Sequence, residues 1–146
     1  MAEIAIAGLV IQLADVAIRG AKGLSSTISA LKSGSAELNW LHNIVTQFEK
    51  LLTETRETVQ TYHGSVPEAK HKSIFVALDT SLRAGSDDLQ ALKDVLGKPL
   101  QHSKSAVNRF GKIVKSVYNE KELRKLSLRL YTHQTDISIL LSSLGR

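Results

Sequence analysis

The sequence predicts an all-α protein, an antiparallel bundle of four to five helices, and three observations carry that prediction. Apolar residues recur at steps of three and four along most of the chain, two-residue alternation is nearly absent, and the only prolines are Pro67 and Pro99. With 146 residues, a single domain spanning 1–146 is expected, long enough to bury roughly two-thirds of its unfolded surface. The chain has no cysteine, so no disulfide staples it. Together with the lack of a secretory pattern, this suggests a reducing, intracellular setting.

The first element opens with IAIAGLVIQLADVAI, Ile4 to Ile18, where only Gln12 and Asp15 are strongly polar. It does not read as a signal peptide, because Met1-Ala2-Glu3 supplies no basic leader and Asp15 interrupts the apolar run. Nor does it read as a single-pass span: fifteen helical residues reach about 22 Å against a hydrocarbon core of about 30 Å. A carboxylate at mid-helix adds about 2.5–3.5 kcal/mol to insertion. The plain reading is a helix buried on most faces of a bundle, running past the glycines of RGAKG to Leu31. Ala14, Ala17, Gly20 and Gly23 recur every third residue. That spacing spirals around a helix and makes no single contact face, so close packing within the monomer is the simpler role, with GAKG also readable as a hinge.

In the second element Leu38, Leu41, Val45, Phe48, Leu52, Thr55, Val59 and Tyr62 form an unbroken seam, with Gly34 or Ser35 as its cap and Glu37 in the first turn. A loop around YHGSVPEAK follows. The third seam is Phe75, Leu78, Leu82, Gly85, Leu89, Leu92 and Leu96, and LGKPL is expected to stop it. Gly85 on that seam reads either as a point of close helix approach or as a weak spot. Val107, Phe110, Val114 and Val117 then give an apolar stripe that loses register near Asn119, where Asn119 with Glu122 resembles a capping box. The final seam is Leu123, Leu126, Leu130, His133, Ile137, Leu140 and Leu144. Short connections between single-faced helices favour the antiparallel bundle.

Charge is concentrated in one region. Lys98 to Arg129 holds nine Lys or Arg against two acids, a local +7, and the rest of the chain nets −2. This stretch reads as a solvated helix face or as a contact for anionic lipid, at about 1 kcal/mol per basic residue near an anionic leaflet. Nucleic acid is the weaker partner, since the stretch has few aromatics for base stacking and no RNA-binding motif.

Catalysis finds no foothold, and the chain is not expected to be an enzyme. His42, His63, His71, His102 and His133 have no nucleophile motif beside them, Gly111-Lys112 lacks Walker spacing, and no His pair has metal-ligand spacing. No cofactor or metal is therefore expected. His133 on a leucine seam reads as a half-buried residue satisfied by one hydrogen bond, and Trp40 as a core or boundary anchor.

The stretches MAEIAIAGLVIQLADVAIRGAKGL, ELNWLHNIVTQFEKLLTETRETV and LRLYTHQTDISILLSSLGR resemble the fungal HeLo-like domain, the N-terminal module of many fungal NLR-type (STAND) receptors and cell-death proteins. The resemblance spans the chain and is one of texture, with no catalytic motif. It implies a bundle related to HeLo domains and to the four-helix bundle of mixed-lineage kinase-like pseudokinases. It also implies heterokaryon-incompatibility or innate-immune cell death, by self-association and permeabilisation of the plasma membrane.

On that resemblance the domain is cytoplasmic at rest and moves to the plasma membrane on activation by an NLR-type receptor or an amyloid-templating partner. The N-terminal helix is the membrane-inserting element, mapping to Glu3, Ile4, Ile6, Leu9, Val10, Leu13, Asp15 and Ile18, with Glu3 and Asp15 facing a pore. From the charge pattern, Lys104, Arg109, Lys112, Lys115, Lys121, Arg124 and Lys125 are the expected contacts for anionic lipid or a partner. The alternative is a soluble signalling or oligomerisation module that binds another helical domain without insertion.

Overall fold

A computed structural model describes residues 2–31, 36–62, 69–101 and 120–144, in four helices: α1 (Ala2–Leu31), α2 (Ala36–Tyr62), α3 (Ala69–Gln101) and α4 (Glu120–Ser143). The described residues are all-α, as the seams predict. The stripe Val107 to Val117 and the caps Gly34, Ser35 and Asn119 lie outside the described residues.

Each seam becomes a buried face. Leu38, Leu41, Val45, Phe48, Leu52 and Val59 of α2 are buried, as are Phe75, Leu78, Leu82, Leu89, Leu92 and Leu96 of α3, and Leu123, Leu126, Leu130, Ile137 and Leu144 of the last seam; there Leu140, expected on the seam, is only partly buried and Leu141 is the buried residue. Polar seam positions are satisfied locally. The Thr55 hydroxyl, fully buried, donates to the Leu51 carbonyl at 2.8 Å, and that of Ser127 donates to the Leu123 carbonyl at 2.6 Å.

α1 packs against α2 and α3, and α4 packs against the same two helices, so α1 and α4 stand across the bundle from each other. Asp15 pairs with Arg56 and Ser25 with His42, so α1 and α2 run antiparallel. Gln134 donates to the Ile44 carbonyl at 2.8 Å, and further along both helices Leu51 and Glu54 share a groove with Ser138 and Ile139.

Two expectations are resolved by this packing, and one is corrected. α1 is continuous through RGAKG, and Ala14 and Ala17 are buried within the monomer, whereas a Cβ on Gly20 would make only ordinary contact with Leu89, at 3.8 Å, and one on Gly23 would meet nothing within 4 Å. Gly85 is a point of close approach, since a Cβ there would lie 2.7 Å from Phe48 Cζ. The expected stop at LGKPL does not occur, because α3 runs through Pro99 to Gln101. A proline has a helix-compatible φ, but it lacks the N–H that would bond the carbonyl four residues back, here that of Val95, and its ring crowds that carbonyl, so it weakens a helix without always ending it.

Candidate functional site

The sequence nominates α1, and the structure sorts its residues onto two faces. Val10 and Ile18 are buried together with Ala7, Ala14, Ala17, Ala21, Leu24 and Ile28. Ile6 and Leu13 are partly buried against the same core. Leu9 and Val16 face outward, 36% and 49% exposed, on a stripe with Gln12 and Arg19. Glu3 and Ile4 belong to the first turns of the helix, and their side chains lie outside the described residues. α1 is thus apolar inside and partly apolar outside.

Asp15 is paired with α2. Its Oδ1 accepts from Arg56 Nη1 at 2.8 Å, with both side chains about a third or more exposed (42% and 34%). Water screens such a pair, so Arg56→Ala is expected to cost no more than about 1 kcal/mol, read as a small shift of the urea midpoint. Nearer the end of α1, His42 Nε2 lies 3.1 Å from Ser25 Oγ and 3.3 Å from Ser29 Oγ. These polar ties sit around the rim of an apolar contact.

The expected basic contact is described only in part. Arg124 and Lys125 are exposed on α4, Lys121 belongs to α4 with its side chain outside the described residues, and Lys104, Arg109, Lys112 and Lys115 lie outside them altogether. Arg129, the last cation of the stretch, has a structural task. Its Nη2 is 2.8 Å from Asp88 Oδ1, and His133 Nε2 is 2.8 Å from Asp88 Oδ2. Asp88 is 2% exposed, so both oxygens of a buried carboxylate are bound by α4. A carboxylate oxygen accepts, which places the hydrogen on His133 Nε2.

Sequence reasoning anticipated a single satisfied bond for His133 but missed its partner. The available signal was spacing: Asp88 follows Gly85 by three and precedes Leu92 by four, so it falls on the α3 seam. Trp40, expected as a core or boundary anchor, is 39% exposed, which is a boundary position.

Among the described residues no group of three or more His, Asp or Glu could hold a metal ion, and no helix is long and apolar enough to cross a membrane. Comparison with family models, curated proteins and solved structures finds no match.

Proposed function

We propose that this chain is a membrane-acting effector domain, whose α1 leaves the bundle after copies are brought together and permeabilises the plasma membrane in the manner of the HeLo-like domains it resembles. The observation that carries the reading is the two-sided apolar character of α1: Val10, Ile18, Leu24 and Ile28 inside, Leu9 and Val16 outside, with Asp15 held by one half-exposed ion pair.

The energetics require a trigger. Withdrawing those four buried aliphatic side chains costs roughly 6–12 kcal/mol, comparable to the whole stability of a domain. Lipid can repay that cost because it takes up the same apolar face. α1 alone is not apolar enough to span, so several copies would share Asp15 around a wet lumen while Arg124 and Lys125 hold the bundle on anionic headgroups. An NLR-type receptor or amyloid-templating partner in the cytoplasm is the kind of assembly that would bring copies together.

The test is dye release from phosphatidylcholine vesicles containing phosphatidylserine. Wild-type protein is expected to release dye, more weakly at high salt. Leu9→Glu with Val16→Glu leaves the core intact and is expected to cut release at least about tenfold, because each carboxylate penalises insertion. Intact vesicles in the presence of folded, oligomerised protein would overturn the reading. That result would favour the second reading, a soluble oligomerisation module.

A further inference from the structure

The outer face of α4 carries an unusual stripe. Arg124, Leu128, Tyr131, Thr135, Ile139 and Ser142 follow one another at steps of three and four, so they share one side of the helix. Leu128, Tyr131 and Ile139 are 49%, 53% and 60% exposed, three of the seven exposed large apolar side chains among the described residues. From Leu128 to Ser142 the stripe bears no charge, whereas the flank toward α3 carries Arg129 and Asp136. Beside it α2 contributes Leu51, Lys50 and Glu54 to an open groove of about 450 Å³ shared with Tyr131, Thr135 and Ile139.

We propose that two copies of this chain pair through this face, α4 against α4 and antiparallel, about a two-fold axis at Thr135. The stripe is complementary to itself in that arrangement and in no charged partner's terms. Tyr131 and Ile139 stand four residues on either side of Thr135, so the Tyr131 of one copy meets the Ile139 of the other, twice. Leu128 meets the small Ser142 of the second copy. Thr135 is small enough for close approach at the axis, and its hydroxyl already donates to the Tyr131 carbonyl at 3.2 Å, so its burial strands no donor.

Charge also favours a copy over other occupants. The chain carries +5, so most pairings of like with like are repulsive, but this face is neutral. Its groove holds one cation and one anion, Lys50 and Glu54, a single turn apart. A two-fold that reverses α4 also reverses α2, so the two grooves, each with one cation and one anion, face each other without a net charge on either side. Arg124 arrives at the C-terminal end of the second α4, where the helix dipole is negative. An anionic membrane would find no cation along the stripe before Arg124.

The pairing goes beyond the membrane reading and does not depend on it, since α1 lies across the bundle and keeps Leu9 and Val16 open. The experiment is therefore done without lipid, on a chain that has no native cysteine. Thr135→Cys places two thiols at the axis, within disulfide reach only if the axis is there. Mild oxidation is expected to convert T135C to a covalent dimer, with V76C, exposed on α3, lagging far behind. Sedimentation equilibrium is expected to show a wild-type dimer whose dissociation constant rises about 100-fold or more in Ile139→Glu, which buries two carboxylates. A monomeric wild type, crosslinking of T135C no faster than of V76C, or an Ile139→Glu variant that loses vesicle binding while both proteins stay monomeric would each overturn the proposal. Failed dye release alone would leave it standing.

Discussion

Phe48→Ala is expected to destabilise the bundle by about 3–5 kcal/mol, read from urea unfolding followed by far-ultraviolet circular dichroism. Phe48 is fully buried, and its ring runs from α2 across the centre of the bundle to the backbone of α3 at Gly85. A Cβ on Gly85 would lie 2.7 Å from Phe48 Cζ and 3.2 Å from Cε2, with His133 Cβ 3.9 Å away on α4. The ring therefore joins helices that stand diagonally opposed. Gly85 costs α3 about 1 kcal/mol of helix propensity relative to alanine, and this close approach is the return on it. Gly85→Ala alone should destabilise, because overpacking of about 1–3 kcal/mol exceeds the propensity gained. In the Phe48→Ala background the same substitution should stabilise by about 1 kcal/mol, since only the propensity remains. The reversal of sign within one double-mutant cycle separates a packing role for Gly85 from an ordinary weak spot.

Most of the fold was legible because burial here follows the helical period. Leu38 to Val59 on α2 and Phe75 to Leu96 on α3 are buried as their spacing requires. Errors arose where a local rule met a tertiary one. Pro99 is a stop signal in isolation, yet α3 is helical through it to Gln101: the φ of proline suits a helix, and the lost bond and ring crowding weaken the helix there without ending it at that residue. The stripe toward α2 on α4 escaped notice for the opposite reason. Tyr131, Thr135 and Ile139 read as scattered surface residues until their helix and its neighbour are placed side by side.

The candidate site was legible as composition and opaque as geometry. The apolar run of α1 was evident, but the sequence offered Asp15 no partner; Arg56 is forty-one residues away and meets it only once α1 and α2 fold antiparallel. Asp87 and Asp88 make the point more sharply. They are adjacent and chemically identical, but one residue turns a helix by about 100°, which leaves Asp87 exposed and Asp88 2% exposed between two side chains of α4. Nothing local distinguishes them, and only the α3 seam extended through Gly85 and Leu92 selects the second.

That buried carboxylate sets the other large effect. Arg129→Met with His133→Leu removes both donors from Asp88 and leaves it without a partner inside the α3 and α4 contact, at an expected cost of about 3–5 kcal/mol. Either single substitution should cost less, because one oxygen keeps its bond. Arg129 is half-exposed and its own loss is softened by water, so His133, 19% exposed, is the more damaging of the two. Adding Asp88→Leu to the double variant should return most of the stability, since apolar side chains of similar volume replace a buried ionic cluster at little net cost. A triple variant no more stable than the double would mean that the cluster serves chiefly by its shape in the core. Recovery would show instead that the penalty belongs to the stranded carboxylate, while in the wild type the bonds from Arg129 and His133 to Asp88 tie one face of α4 to α3. Such a tie has a consequence for the rest of the helix. With Arg129 and His133 committed to α3 and Gln134 to the Ile44 carbonyl, α4 cannot rotate about its axis, and Leu128, Tyr131 and Ile139 are held facing outward by the residues interleaved with them.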